Sequence, residues 1–547
     1  MQIHRLRLTL VALLTGLALT LAACGGDDES STDAGDLGPD PATMAPADAP
    51  VYAEAVLRPS GTMLDDFNSA FGKLLGSDDP SAMIRDALEG ELASSDSGFT
   101  YSEDIEPWLG PRAGGFITDY DPSSDQAEGA VAVAVTDPDA AQAFIQKASE
   151  SDPQKETEAS YNGVDYLTDE DGAAVGIDGE FLVVGTEQGF KDAVDAAAGD
   201  SLAESDTATA AREETPDNSL FSGFVDTEAV IELIKRSGGL SPEEIKNVEE
   251  QVARYGEGPV DFWGTVEEST ITLAGSSPAP EDASDPSDLV SGFPADAWLA
   301  FASADVGAQI QTSLDQFEVS FQSSIDDSFG PGVPRDLQFD PTAEFRKATG
   351  LDLATDFDWI GEVGGFVQGS SLFGLGGGLV IEATDEEAAA ATLDKLQAAL
   401  AKELPVQVTE TETGFRVQPE GVPLATEVAL DDGKVVIAAG ADSVEDVLSP
   451  DDTLESSDRF NAAREVLGED ASVNFFLDFA PIVSLIESTG EATSDPDYQM
   501  AKPYLDSLDY LVAGSRIDGD RVAGSLVLGV REAPASSEDE VAATITP

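Results

Sequence analysis

The stretch Ala130-Val131-Ala132-Val133-Ala134-Val135-Thr136-Asp137-Pro138-Asp139-Ala140 holds two elements and the joint between them. Residues 130–135 form a β-rich apolar run. Asp137 is a favourable helix N-cap, Pro138 suits the first helical position, and Asp139 complements the positive helix end. The helix continues through Phe144 and Ile145. Short strands are expected around 164–166, 174–177 and 181–185, with Asp178-Gly179 as a hairpin turn. A helix carrying Phe190 and Val194, four apart, stops at Gly199. Asp226 caps another with Ile231 and Ile234. Ser241-Pro242-Glu243-Glu244 reads as a capping box opening a further helix through Val248 and Val252, in this half of the chain only. Strand–helix–strand–strand–strand–helix with hairpins is an α+β pattern of mainly antiparallel sheet, with helices expected on one face.

The pattern occurs twice. Pro46-Ala47-Asp48-Ala49 recurs as Pro294-Ala295-Asp296-Ala297. An amphipathic stretch follows each: Leu64, Phe67, Phe71 and Leu74, then Ile310, Leu314, Phe317 and Phe321. Trp108-Leu109-Gly110 with Gly114-Gly115-Phe116 is matched by Trp359-Ile360-Gly361 with Gly364-Gly365-Phe366. Thr136-Asp137 matches Thr384-Asp385, and the strand ending in Gly185 matches the one ending in Gly440, with Asp432-Gly433 at its turn. Phe224-Val225-Asp226 matches Phe476-Leu477-Asp478, and Asp261-Phe262-Trp263 matches Asp509-Tyr510-Leu511. The order never changes, and the offset stays near ~250 residues, far longer than a solenoid repeat, so each copy is expected to be a domain. A hairpin at Ile517-Asp518-Gly519-Asp520 closes the second copy.

The ends read differently. His4, Arg5 and Arg7 precede an apolar run over 8–21, the n- and h-regions of an export signal. The run is shorter than the roughly 20 residues of a spanning helix. It ends in Leu21-Ala22-Ala23-Cys24-Gly25, which resembles the lipobox of bacterial lipoproteins. The expected organisation is a lipoprotein signal peptide over 1–23, lipidation of Cys24, and a flexible acidic tether over 24–45. Repeat domains follow over 46–275 and 293–531, separated by a linker over 276–292, with a disordered acidic tail over 532–547. The expected location is outside the bacterial cell membrane, held there by the lipid.

The chain has 27 Lys and Arg against 107 Asp and Glu, a net charge of −80. Without Arg5 and Arg7 the mature chain has 25 against 107, or −82. Such a surface repels nucleic acid and anionic headgroups, so neither is an expected partner for the body of the protein. Asp119, Asp121, Asp125 and Glu128 form the densest acidic group, but it lacks the Gly and terminal Glu of an EF-hand loop. It reads as solvated surface.

The Pro-Ala-Asp start, the segment from Trp359 to Phe366, the strand ending in Thr-Asp before an Ala-rich helix, and the Asp-Gly turn before an apolar strand together resemble a bacterial envelope family. That family is known as domain of unknown function 3352. The resemblance covers nearly all the mature chain and implies no activity.

The residues themselves exclude several chemistries. The only histidine is His4 and the only cysteine is Cys24, both at the signal. The mature chain therefore has no imidazole and no free thiol for Ser-His-Asp or Cys-His catalysis, or for His- or Cys-ligated zinc. No cofactor or metal is expected. Gly374-Leu375-Gly376-Gly377-Gly378 precedes a strand, whereas a phosphate loop opens a helix. Trp108, Phe116, Trp359 and Phe366 read first as core residues beside glycines that let strands pack closely. The alternative is a stacking platform for sugar or lipid. The expected function is a non-catalytic binding or scaffold module of the cell envelope, with an envelope protein or a lipid as possible ligand. A carrier of lipid or another hydrophobic ligand is the first alternative, and a carboxylate-based hydrolase the second.

Overall fold

Ten strands of the first copy are numbered in chain order: β1 (Val51–Val56), β2 (Leu109–Asp121), β3 (Gln126–Val135), β4 (Thr157–Tyr161), β5 (Val164–Thr168), β6 (Ala173–Asp178), β7 (Phe181–Thr186), β8 (Ser219–Asp226), β9 (Pro259–Glu267) and β10 (Thr270–Pro278). The computed structural model describes residues 37–533 apart from 95–97, 122–125, 152–155, 239–240, 255, 257, 281–282, 309, 311–344, 348, 354, 372–373, 404–405, 420–424, 441–442, 469, 489 and 491. The export signal, Cys24, Asp125, the helix expected around Leu314, Phe317 and Phe321, and the tail from 534 lie outside the described residues.

The described strands pair antiparallel in the order β4-β5-β6-β7-β3-β2-β1-β8-β9-β10. Among the described residues seven α-helices accompany them: α1 (Gly61–Leu75), α2 (Pro80–Ser94), α3 (Pro138–Ser151), α4 (Glu187–Ala198), α5 (Asp206–Glu214), α6 (Thr227–Ser237) and α7 (Pro242–Arg254). The expected caps are in place. Asp137 Oδ1 accepts from the Ala140 N–H at 3.0 Å, and Asp226 Oδ1 from the Ala229 N–H at 3.0 Å. Ser241 and Glu244 exchange the two bonds of a capping box, at 2.7 and 3.3 Å.

The second copy repeats this topology. It contains β11 (Ala297–Ser303), β12 (Ile360–Gln368), β13 (Gly376–Ala383), β14 (Val406–Glu410), β15 (Gly414–Pro419), β16 (Thr426–Asp431), β17 (Lys434–Gly440), β18 (Ser472–Asp478) and β19 (Leu508–Asp518). Their order is β14-β15-β16-β17-β13-β12-β11-β18-β19, again antiparallel throughout. Its helices are α8 (Glu386–Glu403), α9 (Val444–Leu448), α10 (Asp458–Glu465), α11 (Phe479–Ser488) and α12 (Pro496–Ser507). All three predicted Asp-Gly turns form, with Gly179 at φ 58°, Gly433 at φ 73° and Gly519 at φ 62°.

Five features differ from the sequence reading. First, helices cover both faces of the sheet, not one. Ala130, Ala132 and Ala134 of β3 and Val183 of β7 pack with Phe190 and Val194 of α4. The alternate residues Val133, Val135, Leu182 and Val184 pack with Ala141, Phe144 and Ile145 of α3. Two-sided burial is why these strands are continuous apolar runs. Second, the second copy has its own further helix, α12, capped by Asp495 with Pro496 at its start. Third, the stretch 37–45 is folded. Asp40 caps a short 3-10 turn, Pro41–Met44, and Ala42, Met44 and Ala45 enter the first core. Fourth, 276–292 is not all linker, since Ser276 lies in β10 and Val290 is fully buried. Fifth, the chain divides into one compact unit of residues 1–283 with 517–547 and another of 284–516. The last strand, β20 (Arg521–Val530), pairs in unit 1 along all of β10, from Thr270–Gly529 to Pro278–Arg521. There Leu528 and Val530 meet Ala70, Phe71 and Leu74 of α1 and Val266 of β9.

Candidate functional site

The residue types that recur at matching points of the two copies form one constellation. Trp108 is 2% exposed and Trp359 4%. Each indole Nε1–H donates to a backbone carbonyl shortly upstream, Asp104 O or Asp356 O, at 2.7 Å in both cases. Trp359 Nε1 also lies 3.2 Å from Thr392 Oγ1. Each Trp carbonyl accepts the N–H of the Thr that directly follows β3 or β13, Thr136 at 2.9 Å and Thr384 at 2.8 Å. The side chains of Asp104 and Asp356 face a lysine of the following helix. Lys147 Nζ is 2.5 Å from Asp104 Oδ1, and Lys395 Nζ is 2.6 Å from Asp356 Oδ1. Each carboxylate's second oxygen accepts a backbone N–H four residues earlier, from Thr100 or Asp352, at 2.8 Å.

These contacts set the charge state. The Lys395 hydrogen bond holds the Asp356 carboxyl below its ordinary range, against partial burial. Burial pushes Asp104 upward, but the bonds from Lys147 and Thr100 outweigh it and leave that carboxyl lowered as well. The unit is a brace between the segment entering β2 or β12 and the helix entering after β3 or β13. Sequence reading found the tryptophans and missed Asp104, Lys147, Asp356 and Lys395. A signal existed, since Lys147 and Lys395 each stand ten residues beyond the helix caps Asp137 and Asp385.

Phe116 is 5% exposed and packs with Tyr52 and Phe224, while Phe366, 3% exposed, lies 5.2 Å from the Phe293 ring. The preceding glycines make room for this packing. A Cβ on Gly114 would sit 2.6 Å from the Tyr52 hydroxyl, and one on Gly364 would sit 2.9 Å from the Phe293 ring. The four aromatic residues are therefore brought into the cores, and none offers an exposed ring to a ligand. Gly376 to Gly378 lie within β13, where Gly378 is roofed by Val447 of α9. They form no phosphate loop.

A second pair of equivalent residues has diverged. Asp261 on β9 is 3% exposed, and Arg521 Nη2 lies 2.5 Å from its Oδ2. Arg521 also donates through Nε to Ser276 Oγ at 2.7 Å and through Nη2 to Pro259 O at 3.3 Å. Asp261 Oδ1 is buried without a hydrogen bond. Burial holds this carboxyl above its ordinary range, with Arg521 pulling against it and Glu214 adding to the rise. In unit 2 the matching Asp509 is bridged at 3.1 Å by Arg459 of α10, which also binds Asp478 at 2.6 Å.

Among the described residues, each unit holds a pocket. One in unit 1, of about 190 Å³, is lined by Glu54, Arg112, Arg212, Thr215 and Phe221 among others. Its arginines are engaged: Arg112 binds the Gly38 and Pro39 carbonyls, and Arg212 binds Asp40. The other, in unit 2, of about 480 Å³, is lined by Asp296, Gln368, Asp446, Asp451 and Asp452. Among the described residues no three His, Cys, Asp or Glu side chains are placed to hold a metal ion, and no helix is long and apolar enough to cross a membrane.

No curated protein matches the chain. Three solved structures, crystal forms I, III and IV of TP0453, are similar to it at 10%, 13% and 12% identity. They cover 45%, 45% and 44% of this chain and 81%, 83% and 80% of their own, with TM-scores of 0.25, 0.24 and 0.24. A family model described as protein of unknown function (DUF3352) matches residues 9–521, through both copies of the duplicated unit, and the chain belongs to that family.

Proposed function

We propose that this protein is a non-catalytic binding or scaffold module of the cell envelope, held outside the cytoplasmic membrane by a lipid on Cys24. The observation that carries the reading is how the duplicated side chains are used. Asp104, Trp108 and Lys147, with Asp356, Trp359 and Lys395, make their bonds inside the fold. With its one histidine in the export signal and its one cysteine the expected lipid acceptor, the mature chain offers neither an imidazole nor a free thiol to catalysis, which supports the same reading. The carrier alternative calls for a continuous apolar chamber; the unit 1 pocket mixes Leu37, Val56, Leu220 and Phe221 with Glu54, Arg112 and Arg212, and the unit 2 pocket is lined largely by aspartates.

The anchor is tested by fractionation. The wild-type chain should sediment with membranes and Cys24→Ala should not, and a variant that stays in the membrane fraction refutes the anchor. The non-carrier reading is tested by native mass spectrometry of the full chain after gentle detergent extraction. The mass should be that of the protein with its own covalent lipid. A stoichiometric extra lipid would replace the scaffold reading with the carrier.

A further inference from the structure

The turn between β4 and β5 consists of Asn162 and Gly163, flanked by the Tyr161–Val164 pair. Both residues are exposed and both have positive φ, 49° and 93°, as a two-residue hairpin requires. Of the six asparagines, Asn162 alone precedes a glycine. Nothing lies within 4 Å of where a Gly163 side chain would be, so no side chain branches over the peptide that follows Asn162 and the turn is open at that residue. The side chain is nonetheless tied down. Asn162 Nδ2 donates to Asp195 Oδ1 at 2.7 Å, and the Tyr161 hydroxyl donates to Asp195 Oδ2 at 2.8 Å. Asp195 belongs to α4, so these two bonds fasten the hairpin to that helix.

We propose that Asn162-Gly163 is a site of spontaneous covalent modification that unfastens the β4–β5 hairpin from α4. The Gly163 main-chain nitrogen gives its proton to hydroxide and attacks Asn162 Cγ. The new C–N bond closes a five-membered imide, and the Cγ–Nδ2 bond breaks to release ammonia. Water then opens the ring at either carbonyl, giving aspartate or isoaspartate at 162, with no change of oxidation state. Either product replaces an amide donor by a carboxylate facing Asp195. A charge-assisted hydrogen bond becomes a like-charge contact. The isoaspartate route also lengthens the backbone within a two-residue turn, where register is set by loop length. The matching β14–β15 turn has Thr411, Glu412 and Thr413 before Gly414, so the change is confined to unit 1.

The test uses the full-length folded chain, incubated in mildly alkaline buffer and mapped by peptide mass spectrometry. Asn162 should convert to acid ahead of the other five asparagines. Asp195→Ala, which frees the amide, should speed conversion by about tenfold, the worth of one such bond. Asn162→Asp should raise hydrogen exchange in β4 and β5 and leave unit 2 unchanged. A folded chain that keeps Asn162 intact, while the denatured chain converts there, overturns the site. An Asp195→Ala variant that converts no faster, or an Asn162→Asp variant with unchanged exchange, overturns the link to the hairpin's fastening.

Discussion

Removing Arg521 should open the β9–β10–β20 edge of unit 1. Arg521→Met leaves Asp261, 3% exposed, with neither oxygen bonded by a guanidinium, since Oδ1 is already without a partner. Breaking a buried ion pair by taking one member costs about 3–5 kcal/mol. The side chain of Arg521 is 21% exposed and that of Asp261 4%, so little of this is screened. Removing both charges together, as Asp261→Leu with Arg521→Met, leaves no orphaned charge, only the Ser276 hydroxyl and the Pro259 carbonyl without that donor, and should recover most of the loss. The coupling in the double-mutant cycle should therefore be several kcal/mol. A chain of two units need not unfold in one step, so native-state hydrogen exchange is the suitable assay. Amides of β10 and β20 should lose about 100- to 4000-fold in protection in Arg521→Met, and recover in the double variant. The pH dependence has a definite sign. Burial raises the Asp261 carboxyl above its unfolded value of about 3.9, so its contribution is greatest below that pH and falls as pH rises through the folded value. A single variant within about 0.5 kcal/mol of wild type at neutral pH refutes the reasoning.

Four further outcomes are expected. Lys147→Met and Lys395→Met should each destabilise their unit by about 1 kcal/mol or less, because the lysine side chains are 46% and 44% exposed and solvent screens them. Because Asp104 and Asp356 are lowered, wild-type stability from these braces should be full above the ordinary carboxylate range and lost as pH falls through the folded values; thermal unfolding against pH checks this, and flat profiles would remove the braces from the account. Trp359→Phe should cost about 1 kcal/mol for the lost Nε1 bonds, with additional loss for the smaller ring, measured by denaturant titration; an unchanged midpoint would favour a solvent-facing indole. Gly364→Ala meets Phe293, Leu289 and the Phe301 carbonyl within 3.1 Å and should cost about 1–3 kcal/mol in the same titration, a neutral result showing that the Gly-Gly-Phe segment is not set by packing.

Local chemistry was the legible part of the sequence. Asp137, Asp226 and the Ser241 box cap where capping rules place them, and Asp178-Gly179 and Asp432-Gly433 turn where hairpin rules place them, because each depends on a few neighbouring atoms. The duplication was legible because strand order is copied with the chain. Two-sided burial was written in the unbroken runs of β3 and β7, yet short apolar runs do not by themselves say how many layers cover them. The brace around each tryptophan was hidden for a different reason. With 107 acids, Asp104 and Asp356 differ from the rest only through lysines that tertiary contact brings to them. The folded stretch 37–45 has a disordered composition, and it orders because Ala42 and Met44 find a place in a core built by distant strands.

Asp261 and Asp509 show most clearly where sequence reading ends. They hold the same place in two copies of one topology, and their neighbours in sequence are alike. What separates them is the source of the arginine: Arg459 reaches Asp509 from a helix of the same unit, whereas Asp261 waits for Arg521, at the far end of the chain. The consequence for folding follows from connectivity. Unit 1 has its first ten strands by residue 278, but the core shared by α1, β9 and β10 lacks Leu528 and Val530 until β20 exists. Closing so long a loop costs only slowly growing entropy, so equilibrium stability tolerates it. The rate of folding does not, since contacts of high sequence separation form late. Until then β10 is an unpaired edge with a buried acid beside it, a template for pairing with other chains. The strand that closes the first unit is the last of the described strands.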